Sequence, residues 1–342
     1  MKPTDLAAVT QWITAAALED GDALVDRVAT RLSLSRRSAQ ALLRKLEATQ
    51  WLVREGTRRR PRFRPGPLRQ VVQRYALEGL QEDLPWSRDF APNFTLPREI
   101  ARLAQHAFTE LLNNAVDHSG GTQVTVSMRQ TPLHLQLLVS DDGCGLFHRI
   151  ERTFQIADPS LAMLELSKGK LTTQPDRHSG RGLFFTSRMA DVLDLHANER
   201  AYQYRGWDRR TWHKGKPIAR PGTSIFLAIS VESTRTVDGV LRSHSATGNG
   251  FAFDQTVVPL QLMLSGDNGL ESRAQAKRVA SRLQSFRRAE VDFTGIPEIG
   301  HGFADELFRV FPHAYPALEL VPVGMSSRVA EMIDSVRQPA LA

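Results

Sequence analysis

Apolar positions recur at helical spacing in some stretches and alternate in others, and the two rhythms divide the chain. "DALVDRVATRLSLS", from residue 22, reads as a short helix ending in a turn. Ser35 is placed to cap a second helix, "RRSAQALLRKLEATQ", with Ala39, Leu42, Leu43 and Leu46 on one face. "WLVREGTRRRPRFRPG" reads as two short strands around a basic tip, and "RPGPLRQ" is a Pro-Gly break. A helix is predicted over 68–82, then a loop, "DLPWSRDFAPNFTLP". From Arg98 the helical pattern resumes through Phe108, Leu111, Leu112 and Ala115. Strands are predicted over 122–128 and 133–140, a polar irregular stretch over 147–179, and a helix near 181–191. Strands follow near 192–197, 202–206 and 223–231. After a break at "SHSATGNGF" the chain alternates strand and helix over 257–264, 270–286, 289–294, 302–311, 318–323 and 327–337.

The helix that starts at Arg98 departs from a simple amphipathic pattern. Glu110, Asn113, Asn114, Asp117 and His118 fall within nine residues of it. Asparagine and aspartate are poor helix formers because their side chains compete for the backbone, so this polar face needs a chemical reason. Three further motifs follow in order. Asp141-Asp142-Gly143-Cys144-Gly145 ends an apolar strand, Gly180-Arg181-Gly182-Leu183 opens a helix, and Pro221-Gly222-Thr223 precedes a strand.

Each motif alone is weak, but the ordered set, with Glu110-x-x-x-Asn114, resembles the GHKL ATPase fold. That fold is shared by gyrase-type topoisomerases, a chaperone family, mismatch-repair proteins and histidine kinases. "TELLNNAVDHS" and "GRGLFF" look closest to the anti-sigma-factor serine kinases. The resemblance implies ATP and Mg²⁺ as ligands. It makes Glu110 the group that orients or deprotonates the attacking nucleophile and Asn114 an oxygen ligand of Mg²⁺. Asp141 would accept from the adenine amino group, backed by Thr223, and Gly143 and Gly145 would let the backbone approach the base. Gly180, Arg181, Gly182 and Leu183 would meet the phosphates at a helix N-terminus, where the dipole favours anions. Lys168 and Lys170 fall in the stretch that the resemblance makes a lid, where they would either reach phosphates or be solvated.

Composition then adds location and charge. No run of about 18 apolar residues occurs, the first residues lack a secretory pattern, and Cys144 is the sole cysteine, so a cytoplasmic protein without a membrane span is expected. The net charge is +7. Residues 1–74 hold fifteen Lys or Arg against seven Asp or Glu, so the whole surplus sits there. Helix, turn, helix and hairpin in that order resemble a winged helix-turn-helix. Arg36, Arg37, Gln40 and Arg44 would face outward on the second helix, and Arg58, Arg59 and Arg60 would tip the wing. These side chains suit duplex DNA; the alternative is a solvated or protein-docking basic face.

Near the C-terminus "AEVDFTGIPEIGHGFADELFRVF" follows an amphipathic helix and resembles STAS domains, the small α/β modules that anti-sigma kinases phosphorylate. The turn Ile299-Gly300-His301-Gly302 lacks the serine of the phosphorylated members, and Asp305 and Glu306 are expected to face solvent or a partner. The expected architecture is multidomain α+β. A winged helix-turn-helix fills 1–66, a linker helix and loop 67–97, and a GHKL (Bergerat) α/β sandwich 98–235. A linker follows over 236–254 and a STAS-like α/β domain over 255–342. The expected function is an ATP-dependent regulatory switch that couples nucleotide state to duplex DNA and to a protein partner, with a homodimer among the arrangements left open. The alternatives are a serine/threonine or histidine protein kinase and, lower, a topoisomerase- or chaperone-like clamp.

Overall fold

The basic N-terminal stretch builds its own core. The computed structural model describes residues 5–57, 60–156, 159–172, 179–208, 211–248, 250–264 and 269–337. Helices α1 (Leu6–Thr10), α2 (Ile13–Glu19), α3 (Leu24–Leu32) and α4 (Arg36–Ala48) precede an antiparallel hairpin, β1 (Leu52–Gly56) with β2 (Pro61–Pro65). Ile13, Leu24, Val28, Ala39, Leu43, Leu46, Leu52 and Phe63 are buried together. Ser33, in the left-handed region at φ 52°, ends α3, and the Ser35 hydroxyl accepts from the Ser38 amide at 3.1 Å to start α4. The two helices therefore meet through a tight turn set by two serines.

The helix expected over 68–82 is instead a strand, β3 (Arg69–Ala76). It pairs antiparallel with β4 (Gln123–Gln130) along its whole length, from Arg69 opposite Gln130 to Ala76 opposite Gln123. Leu68, Val71, Val72 and Tyr75 have helical spacing, but β-branched Val71 and Val72 favour the pleated backbone. Here only Val71 is buried within the strand. α5 (Arg98–His118) buries Ile100, Leu103, Ala107, Phe108, Leu111 and Leu112. Where a loop was expected, Pro85–Phe90 forms a short π-helix, and its Trp86 and Phe90 pack on Phe108 with ring centroids 5.3 and 5.1 Å away. β5 (His134–Asp141) continues the antiparallel order β3-β4-β5-β9, where β9 is Thr223–Ser230.

The described residues form two compact units, one from 1–143 with 224–234 and the other from 144–223 with 235–342. The second unit holds more order than the polar stretch 147–179 suggested, namely α6 (Leu146–Phe154) and α7 (Pro159–Lys168). α8 (Gly182–Met189) and three antiparallel strands follow, β6 (Val192–Ala197), β7 (Arg200–Arg205) and β8 (Trp212–Lys214). Residues 236–254, expected as a linker, contain α9 (Val237–Arg242) and the buried Phe253.

The C-terminal part is a three-stranded parallel sheet, β10 (Gln255–Pro259), β11 (Arg288–Asp292) and β12 (Glu319–Val323), in that order. Parallel neighbours need crossover connections, and helices supply them. α10 (Arg273–Ala280) lies between β10 and β11. α11 (His301–Asp305), a π turn over 306–310 and α12 (Phe311–Ala314) lie between β11 and β12. α13 (Ser327–Arg337) follows. Phe293, Phe303, Leu307 and Ile333 are buried. His301 is exposed at the start of α11. Asp305, expected to face solvent or a partner, is buried, 3.1 Å from Arg273 and 2.5 Å from Arg309. Those partners hold its carboxyl below the usual range, the Arg309 hydrogen bond most of all.

Candidate functional site

α5 carries its polar residues on a half-buried strip. Glu110 and Asn114, four residues apart, lie on one face of the helix, and both are half-buried. Neither makes a hydrogen bond or ion pair among the described residues. One turn earlier, His106 Nε2 is buried without a hydrogen-bond partner among the described residues. Burial pushes the His106 imidazole below its ordinary value, and the Glu110 charge opposes that shift. The partly exposed oxygens of Glu110 and Asn114 are left open to water or to a ligand. This donor set fits a hydrated Mg²⁺ and a nucleophile. Mg²⁺ prefers one or two protein oxygens together with phosphate oxygens and water. Among the described residues no group of three His, Cys, Asp or Glu side chains is placed to hold a metal unaided.

β5 delivers the second motif of the first unit. Asp141 is buried at the strand's end, opposite Val124, and its Oδ1 accepts from the Gly143 amide at 2.9 Å. Gly143 packs backbone to backbone, since a Cβ there would stand 2.3 Å from the Ser119 carbonyl oxygen. Asp142 does separate work. It accepts from the amides of Thr122 and Gln123 at 2.7 and 2.9 Å, tying the start of β4 to the end of β5. These bonds, led by that of Gln123, hold its carboxyl below the usual range.

The remaining motif residues belong to the second unit. Thr223 Oγ1 accepts from the Leu146 amide at 2.9 Å, which fixes the start of α6 just after Gly145. Asn198 spans the same turn, donating to the Cys144 carbonyl at 2.8 Å and accepting from the His148 amide at 3.1 Å. Gly180 sits at φ 67°, where a Cβ would lie 2.5 Å from the Leu171 nitrogen, so only glycine fits. Arg181 is half-buried, its Nε lacks a hydrogen-bond partner among the described residues, and its guanidinium lies 5.8 Å from the Phe253 ring centroid. Gly182 and Leu183 form the first turn of α8.

Two residues differ from the sequence expectation or were missed by it. Lys168 is neither solvated nor turned toward an open loop. It is fully buried, with Nζ 2.5 Å from Glu165 Oε1. His244 was missed. Its ring packs 4.9 Å from that of Phe184 and 5.7 Å from that of Phe185. Burial, with Arg188 adding to it, pushes His244 down to about 4 from its ordinary 6.5. Between those values the unfolded chain binds a proton that the folded chain refuses, so stability falls as pH falls through the window. The loss by pH 4 is about 3 kcal/mol. His244→Phe, compared with the parent by denaturant unfolding at pH 7 and pH 4.5, is expected to lose less stability over that interval.

The basic N-terminal face is as expected in part. Arg36, Arg37, Gln40 and Arg44 are all exposed on α4, and Arg60 is exposed before β2. Arg58 and Arg59 lie outside the described residues. Several arginines there already have acidic partners, Arg36 with Asp26 at 2.9 Å and Arg64 with Glu55 at 2.7 Å. No helix among the described residues is long and apolar enough to cross a membrane.

No curated protein matches the chain. Residues 77–203 match the family model of the histidine kinase-like ATPase domain, and residues 275–330 match that of a STAS-like domain of unknown function (DUF4325). The chain thus carries a GHKL-type ATPase domain followed by a STAS-like domain in a mixed α/β, multidomain fold, which supports an ATP-binding regulatory or kinase-like role.

Proposed function

We propose that the chain is an ATP-binding regulator whose nucleotide state governs a DNA-binding N-terminal domain and a partner-binding STAS-like domain. The observation that carries this reading is the half-buried pair Glu110 and Asn114, four residues apart on α5 and without a hydrogen bond or ion pair among the described residues, inside the histidine kinase-like match. Asn114 would hold Mg²⁺, Asp141 the adenine, and the turn from Gly180 to Leu183 the phosphates. Glu110 would draw the proton from a nucleophile. Incubating the full chain with γ-labelled ATP tests the reading. Free phosphate marks a hydrolytic switch, labelled protein marks a kinase, and bound but unreacted ATP marks a sensor. Failure to bind ATP at all sinks the proposal.

The N-terminal half of the proposal rests on the winged-helix order of α2 to α4 with the β1–β2 hairpin, and on the exposed side chains of α4. A phosphate backbone neutralises clustered arginines and releases counterions, contributing about −0.9 to the salt slope of log affinity per contact. Replacing Arg37, Arg44 and Arg60 together by alanine is expected to flatten that slope by roughly 2 to 3 units. Anisotropy titrations of a duplex at several salt concentrations measure it. A folded chain that binds no duplex at low salt, with or without ATP, makes this face a protein-docking surface instead.

A further inference from the structure

The second unit joins two regions that the sequence kept apart. The end of α7 is fastened to residues 253–286 by a buried polar joint. Thr256 Oγ1 donates to the Lys168 carbonyl at 2.7 Å, and Lys168 Nζ donates to the Ser281 carbonyl at 2.9 Å. Arg282 forks, with one nitrogen 2.9 Å from Glu165 Oε2 and the other 2.9 Å from the Gly169 carbonyl. Lys170 Nζ donates to the Ser285 carbonyl at 2.6 Å and stands 4.2 Å from the Phe286 ring centroid. Lys170 and Arg282 both hold left-handed backbones, at φ 53° and 63°. Residues other than glycine adopt that region only where the surroundings enforce it.

The joint leads directly to the Gly180 turn. Leu171 follows Lys170, and the Gly180 backbone lies against it. The Phe184 and Phe185 rings of α8 pack 4.6 and 4.9 Å from that of Phe253, which lies 5.4 Å from Phe286. The turn is therefore seated on Leu171 and α8 on Phe253, and the same C-terminal residues hold both supports. We propose that the STAS-like module sets the competence of the Gly180–Leu183 turn through the Glu165–Lys168–Arg282 joint, so that loading the module with a partner is felt at the turn. The nucleotide consequence rests on the ATP-binding reading above. Removing one member of a buried ion network strands an uncompensated charge, so the joint is made or broken as a unit. Linkage makes the coupling reciprocal, so nucleotide at the turn tightens the joint.

Hydrogen exchange on the full chain, compared for the parent, Arg282→Met and the gentler Thr256→Val, tests this. Peptides covering 180–189 are expected to exchange roughly ten-fold faster in Arg282→Met, and by a smaller factor in Thr256→Val. Residues 98–118 should stay unchanged. ATP affinity is expected to fall roughly five-fold or more in Arg282→Met. Faster exchange confined to 165–170, with 180–189 unchanged, overturns the proposal, as does unchanged or tighter ATP binding. If Arg282→Met does not fold, Thr256→Val decides by the same exchange readout. If the parent itself binds no ATP, the nucleotide reading fails, while the exchange at 180–189 still decides the coupling.

Discussion

Glu110→Gln is expected to keep ATP binding and to lose γ-phosphate release or transfer by roughly 10²- to 10⁴-fold, the usual contribution of a general base. The substitution keeps side-chain length and shape on α5, next to the buried core residues Leu111 and Leu112. Glu110 makes no ion pair among the described residues, so its replacement strands no cation. Its charge acts on His106, whose imidazole burial already holds down. Removing the carboxylate takes away the influence that opposes burial, so the His106 imidazole becomes a still weaker base and a poor replacement for Glu110. Single-turnover assays with γ-labelled ATP, alongside an equilibrium titration of the same variant, separate chemistry from binding. Equal turnover in variant and parent places the base elsewhere.

Asp141→Ala is expected to weaken ATP binding by about 100-fold or more, in the range of a lost buried, charge-assisted hydrogen bond. Asp141 sits at the end of β5, buried, and also accepts from the Gly143 amide. Alanine removes both the acceptor for an adenine amino group and the brace of the turn after the strand. The neighbouring Asp142 cannot substitute, because its oxygens are engaged by Thr122 and Gln123. A titration with a fluorescent adenine nucleotide, backed by circular dichroism to show an intact fold, checks this. Unchanged affinity in a folded variant removes Asp141 from the site.

α5 was legible because its apolar residues keep one helical face for the whole length of the element, and its polar strip stood out against them. The ends of β5 and α8 were legible because glycines mark places where backbone meets backbone, as at Gly143 against Ser119 and Gly180 against Leu171. β3 was not legible. Leu68, Val71, Val72 and Tyr75 satisfy the helical period, and only pairing with β4, some fifty residues later, decides for a strand. Lys168 and Asp305 were misjudged for a related reason. A charged residue in isolation is best placed in water, and its burial requires a partner that local sequence does not display. Glu165 meets Arg282 across 117 positions and Arg273 meets Asp305 across 32. The polar reading of 147–179 likewise hid α7, whose Ala162, Met163 and Leu164 are fully buried.

On the proposed reading this chain binds an adenine nucleotide through Asp141. A carboxylate there accepts a hydrogen bond from the amino group of adenine, whereas guanine presents a carbonyl oxygen at the same position and leaves the two acceptors facing each other. Calorimetric titration of the full chain with ATP and with GTP, each with Mg²⁺, tests this most directly. ATP is expected to bind saturably and GTP at least roughly ten-fold more weakly, the discrimination expected when one buried polar pair is mismatched. Equal affinity for the two nucleotides, or no binding of ATP by the folded chain, contradicts it.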